Sequence, residues 1–169
     1  PQIPDTLIAE IDVINEKTRP NKEVFKYTVW YLTHYYETSQ VMGMDAVFVF
    51  LADKVYRPGD AFWVSDNVNK KILEHADKLK PNLIGKVAPE LILLGLDNQL
   101  ISMHSIPASY TILYFWDPSC GHCKTETPKL VDYYNKVKDT MDMKVYSVCS
   151  DTNLTAWRNY VTEKKMEAF

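Results

Sequence analysis

The run YTILYFW, residues 110 to 116, hands over after only "DPS" to the pair of cysteines in "CGHC" and then to a helical pattern. A continuous β-branched and aromatic run of this kind predicts a strand over 111–116 buried in the middle of a sheet. The alternation then repeats. A helical segment runs to about Val137, the apolar run "MKVYSVCS" predicts a strand over 144–149, and "DTNLTAWRNYVTEKK" carries an acidic cap and the helical spacing of Leu154, Trp157 and Val161. Strand, helix, strand, helix requires parallel pairing through crossovers, so this part of the chain is expected to be α/β. Upstream, "APELILLGLDNQLISM" sets two apolar runs around "GLDNQ" and reads as a β-hairpin.

Before residue 86 the texture is different. Leu7, Ile8, Ile11 and Ile14 recur at helical spacing. So do Val24, Thr28, Tyr31 and Tyr35, with Phe25, Val29, Leu32 and Tyr36 alongside. "TRPN" separates these two helices. A third is expected through "MDAVFVFLADKVY", stopped by the breakers of "RPGD", and a fourth from the capping cluster "SDN" to just before Pro81, with Val68, Ile72, Leu73, Ala76 and Leu79 on one side. The aromatic residues here, Trp30 and Trp63 among them, are expected to fill the core of a small bundle, with a ligand pocket as the alternative. The chain is thus read as a helical domain, 1–84, followed by an α/β domain, 85–169.

Bulk properties exclude several classes. The 169 residues are 46% apolar and 24% charged with five glycines, an ordinary globular balance, long enough to bury a core without disulfide staples. A net charge of -3 with no basic run gives no footprint for nucleic acid. The longest apolar run, "AVFVFLA", is far short of a membrane span. The sequence opens at Pro1 without an initiator methionine, as expected of a processed or an engineered product, and either is compatible with a removed export signal. Three cysteines are too few for a disulfide framework and are better read for reactivity.

Placed directly after a strand, Cys120 is expected in the first turn of the next helix and Cys123 one turn further in. Unpaired N–H groups and the positive end of the helix dipole there favour a thiolate at Cys120. The spacing brings Cys123 within disulfide reach, so that an exposed Cys120 attacks a substrate disulfide and a more buried Cys123 resolves the mixed disulfide. A zinc site needs four ligands, whereas the chain offers this one pair, Cys149 and histidines at 34, 75, 104 and 122. Two inert buried thiols fit a strand better than a helix start. A hydrolase would need a positioned base and an oxyanion hole, which no motif specifies. Cys149, at the C-terminal end of its strand, is read as a packed bystander, with a third redox partner as the alternative. No cofactor is expected.

Residues 86 to 165 resemble a thioredoxin-like domain of the TlpA/ResA type, related to the AhpC/TSA group. The likeness is carried by the "AP" entry, the hairpin, "YFW", the CxxC, and Glu126 and Pro128 in the helix that follows. The segment "SQVMGMDAVFVFLADKVYRPGDAFWV" resembles the helical region attached to such domains in Bacteroidetes-type exported proteins. The resemblance implies an extracytoplasmic or periplasmic thiol:disulfide oxidoreductase, lipid-anchored through a part of the chain not present here, with protein thiols and disulfides as substrates. His122 makes the inter-cysteine dipeptide Gly-His, whose imidazolium would stabilise the Cys120 thiolate and make the disulfide more oxidising. Glu126 matches the acidic residue of the pattern and would push the other way by opposing the thiolate or relaying a proton to Cys123; a plain solvated helix residue is the alternative. Ser119 stands where the family often has an aromatic residue. By the family's pattern the domain lacks the cis-proline hairpin and the last helix, which would leave one side of strand 111–116 open, to be paired by self-association or covered by the helical region. Two other functions stay in view. An AhpC/TSA-type peroxidase requires threonine three residues before its cysteine, where this chain has Asp117. A partner-binding protein with a redox-inactive domain is the second.

Overall fold

The computed structural model describes residues 3 to 168 of a chain that divides into two compact units, Pro1–Pro89 and Glu90–Phe169. In the first, helix α1 (Pro4–Thr18) starts on a proline whose fixed φ suits the first helical position. Helix α2 (Lys22–Glu37) starts on Asn21, whose side chain accepts the N–H groups of Glu23 and Val24. Helix α3 (Asp45–Leu51) buries Val47, Phe48, Val49 and Leu51, and an apolar surface on all sides is what a central helix requires. It packs against α1, α2 and α4 (Asp66–Leu79). A π-helical turn, Ala52–Tyr56, extends α3 and ends before Gly59, which adopts the positive φ of 87° that "RPGD" anticipates.

The core of this unit joins Ile11, Tyr36, Met44, Val47, Phe48, Leu51, Ala52 and Ala76, with a second cluster of Phe25, Val29, Val55, Tyr56 and Ala61. On α2 the buried stripe is Phe25, Val29, Thr33 and Tyr36. The parallel stripe faces outward: Val24, Tyr27, Trp30, Tyr31 and Tyr35 are exposed, Trp30 by 52%, against the expectation that these aromatics fill the core. A helix of this width can bury only one of two adjacent apolar rows. The outer rings stack on each other instead, Tyr27 on Tyr31 at 6.3 Å and Tyr31 on Tyr35 at 6.2 Å. Trp63 does pack inward, edge-on to Phe25. Leu83 packs on the helical core and Ile84 lies beside Gly43, and the helical unit extends to Pro89.

The second unit opens with an antiparallel hairpin, β1 (Ile92–Leu94) and β2 (Leu100–Ser102), whose turn carries Asn98 at a φ of 62°. Strand β3 (Tyr110–Trp116) pairs in parallel with β4 (Met143–Cys149), in a register that sets Tyr110 beside Met143 and Trp116 beside Cys149. Helix α5 (Gly121–Val137) makes the crossover between them, and α6 (Leu154–Glu163) follows. Asn153, rather than an acidic residue, caps α6 by accepting the Ala156 N–H. Fold and class agree: this is an α/β unit. Ile112, Tyr114 and Trp116 turn to α5 and α6, into clusters with Val131, Tyr160 and Val161 and with Tyr134, Met143 and Val145. Leu113 and Phe115 turn the other way and are exposed, Phe115 by 60%. The run is therefore buried on one face, and among the described residues β3 pairs with β4 alone.

Candidate active site

Cys120 stands at the hinge between β3 and α5. Asp117, just past β3, shapes the approach: its carboxylate accepts the Ser119 N–H at 2.7 Å and the Ser119 hydroxyl at 2.6 Å, and its carbonyl accepts the Cys120 N–H. Ser150, just past β4, donates its N–H to the Trp116 carbonyl at 2.9 Å. The loop is thus tied to the ends of both strands. Cys120 is then the N-cap of α5 rather than a residue of its first turn, with extended backbone and a sulfur that accepts the Cys123 N–H at 3.2 Å. The thiol does what a capping serine does, and the same N–H would hold a thiolate more strongly.

The two thiols are pushed in opposite directions. Cys120 is lowered by the Cys123 thiol, by the Cys123 main-chain N–H and by that of His122, against partial burial and the Asp117 charge. Cys123 is raised by Cys120 and by burial. Burial, with Asp151 and Asp117 nearby, raises Cys149 as well. All three cysteines are half-buried, so exposure does not separate them as the sequence suggested. Packing does: Cys123 and Cys149 lie against the cluster of Trp116, Val131, Tyr160, Val161 and Met166.

The remaining motif residues are arranged differently from expectation. His122 reaches Cys120 through its main-chain N–H, and its side-chain charge acts on Glu126. Glu126 makes an ion pair with Lys129 at 2.7 Å, which holds its carboxyl below the usual range. Asp117 and Ser150, which organise the loop, did not emerge as site residues from the sequence. The signal for Asp117 was present in "DPS", an aspartate two residues before a free N–H, the pattern of an Asx turn. Tyr114 and Thr127 are two further additions. Their hydroxyls meet at 2.8 Å beneath the start of α5.

A parallel βαβ unit with a CxxC capping its helix is the arrangement that known proteins can be compared with. Residues 84–167 match the model of the AhpC/TSA family. This segment is a thioredoxin-like domain of the TlpA/ResA type. Over 88 residues the domain is 28% identical to the thiol-disulfide oxidoreductases ResA of Bacillus thuringiensis and of Bacillus anthracis, covering 52% of this chain and 50% of each of theirs. The chain therefore spans about half the length of the curated relatives it matches. A thioredoxin-like protein from Bacteroides caccae, solved by crystallography, superimposes with a TM-score of 0.69 at 18% identity, over 95% of this chain and 58% of that one. That likeness establishes the fold and extends it beyond the thioredoxin-like domain into the helical unit.

Proposed function

We propose that this chain catalyses thiol:disulfide exchange, with Cys120 as nucleophile and Cys123 as resolving thiol. The observation that carries the reading is the placement of the pair: the Cys120 sulfur caps α5 and accepts the Cys123 N–H at 3.2 Å, while Cys123, one turn on, packs against the cluster of Trp116, Val131 and Tyr160. In keeping with this, Cys120 is lowered and Cys123 raised. The Cys120 thiolate attacks one sulfur of a substrate disulfide, forming a mixed disulfide and releasing the other sulfur as a thiolate that takes up a proton. Cys123 then loses its proton to solvent and attacks the Cys120 sulfur. The second substrate thiolate leaves and is protonated, and the substrate has gained the two electrons that Cys120 and Cys123 lost on forming their disulfide. His122 and Glu126 act as opposed charges at the mouth of the site, the imidazole favouring the reduced pair and the carboxylate disfavouring it.

The substrates are protein thiols and disulfides, and the place of action is extracytoplasmic, the periplasm in a Gram-negative cell; the likeness to ResA supports both. No helix among the described residues is long and apolar enough to cross a membrane. The one-sided pairing of β3 supports a further partner, a second copy of the chain along strand 111–116. Light scattering should then show association that weakens on dilution, and a strict monomer whose Ile112 to Phe115 amides exchange freely would exclude it.

The test of the exchange reading is alkylation of the reduced, folded protein across pH, with each thiol identified by mass spectrometry, alongside turnover of glutathione disulfide. Cys120 should react fastest at neutral pH, and Cys120→Ser should abolish turnover. Equal rates for all three thiols and no turnover would leave the helical unit as a partner-binding module beside an inert pair.

A further inference from the structure

Under the start of α5 the structure holds a row of three hydroxyls. Tyr114 of β3 meets Thr127 of α5 at 2.8 Å, and Thr127 meets Tyr160 of α6 at 3.1 Å. Thr127 is wholly buried and Tyr160 is 4% exposed, its ring stacked on Trp116 at 4.6 Å. The row lies in the cluster against which Cys123 packs, and Thr127 follows Cys123 by one helical turn. Three hydroxyls joined by two links have one proton to spare. If Tyr160 donates to Thr127 and Thr127 to Tyr114, the spare O–H stands at the Tyr114 end; if the row runs the other way, it stands at Tyr160. Rotation of the hydroxyls alone interconverts the two, with no proton changing owner.

We propose that the Tyr114–Thr127–Tyr160 row is a positioning device for Cys123, which turns its spare O–H toward the resolving sulfur when that sulfur ionises. The proposal deepens the exchange reading and rests on it. In the resolving step Cys123 must become a thiolate in a half-buried place that disfavours charge, and a neutral hydroxyl that gives up no proton lowers that cost. Burial raises the Tyr114 hydroxyl, the Thr127 hydrogen bond works against this, and the charges of Cys123, Tyr160 and Cys120 raise it further, so on balance it is held as a donor beside the cluster on which Cys123 packs. The competing arrangement is local: a helical threonine often donates to the carbonyl four residues back, here that of Cys123, and the row would then serve packing alone.

The experiment uses the full chain with Cys120→Ser and Cys149→Ser, so that Cys123 alone reacts with iodoacetamide, and follows the rate against pH. Tyr114→Phe should move the midpoint up by about one pH unit, the size expected for losing one hydrogen bond to a charged group. Thr127→Val should move it the same way, and Thr127→Ser, which keeps the hydroxyl, should leave it in place. With both cysteines of the pair present, Tyr114→Phe should slow resolution of a glutathione mixed disulfide by about tenfold at neutral pH and slow Cys120 alkylation much less. An unmoved midpoint in folded Tyr114→Phe, or equal midpoints for Thr127→Val and Thr127→Ser, would overturn the proposal. Should Tyr114→Phe fail to fold, the Thr127 pair decides. A native protein that never resolves the mixed disulfide would sink the exchange reading, while the Cys123 midpoint still reports on the row.

Discussion

Both units leave apolar side chains exposed, but they close their cores to different degrees. In the helical unit Val29, Val47, Phe48, Leu51, Ala52 and Val55 are wholly buried, and the outward aromatics of α2 lie beside that closed core. In the thioredoxin-like unit the deepest apolar side chains, Trp116 and Tyr134, keep 2% exposure, while Ile92, Leu100 and Phe115 stay more than half exposed. The first unit is built around a helix apolar on every side; the second is a two-stranded parallel sheet covered by helices on one face. The CxxC pair, and with it the exchange reaction proposed above, lies in the second unit. Thiols that must meet a substrate need a strand end and a helix start at the surface, and the β3–α5 junction provides both.

The largest expected effect sharpens that contrast directly. Phe48→Ala removes a ring with no exposure and should cost about 3 to 5 kcal/mol, whereas Phe115→Ala, already 60% exposed, should cost less than about 1 kcal/mol in chemical denaturation. Equal costs would mean that the exposed face of β3 is covered in solution, and would argue for association through it.

Next come the tyrosine hydroxyls that tie each unit. Tyr56 donates to the buried Thr33 hydroxyl at 3.1 Å, and Tyr146 donates to the carbonyls of Ile101 at 2.9 Å and Leu91 at 3.2 Å, fastening the hairpin to β4. Tyr56→Phe should cost about 1 to 2 kcal/mol across the whole helical unit, because it leaves a buried partner unpaired. Tyr146→Phe should cost about 1 kcal/mol or less, seen chiefly as faster amide exchange in β1 and β2, since water can reach the carbonyls it frees.

Charge contributes less. Partial burial pushes the Asp53 carboxyl up, but hydrogen bonds from Lys80 and Arg57 outweigh it and hold the group below the usual range. A carboxyl depressed in the folded state adds stability that is present above its unfolded pKa of about 3.9 and is lost as pH falls through the folded value. Asp53→Asn should therefore lower stability by under about 1 kcal/mol at neutral and alkaline pH and leave it unchanged at low pH, flattening the acid side of the curve. A loss of equal size at pH 7 and pH 2 would assign the residue to packing.

Sequence carried the β3–α5 junction to within one residue, because a strand that hands over to a helix after four residues leaves little freedom to the cysteines; it set Cys120 in the first turn, where the backbone makes it the N-cap. The four helices and the hairpin were legible for the same reason: their caps and breakers are local. Other features were not. Nothing in α2 tells which of two adjacent apolar rows turns inward, and Trp30, Tyr31 and Tyr35 turned outward. The π-helical turn at Ala52–Tyr56 has no breaker to mark it. Tyr114, Thr127 and Tyr160 are 13 and 33 residues apart along the chain, so their meeting depends on how β3, α5 and α6 pack.

The smallest expected effect concerns His122, where the motif suggested an imidazolium acting on Cys120. The structure gives that task first to the Cys123 thiol and then to main-chain N–H groups, those of Cys123 and of His122 itself, which any residue but proline at position 122 would supply. The side chain instead acts on Glu126, whose closer partner is Lys129. His122→Ala should still favour the oxidised pair, since it removes a positive charge near the thiolate, but by well under the about 30 mV that equals about 1.4 kcal/mol for a two-electron couple. Glu126→Gln removes a negative charge and should shift the potential the other way by a similar small amount. Both shifts should shrink further at high salt, because the charges are exposed and screened. Measured against glutathione, a His122→Ala shift beyond about 30 mV would return the tuning of Cys120 to the imidazole. A shift near zero, alongside an unchanged Cys120 alkylation profile, would leave it with the start of α5.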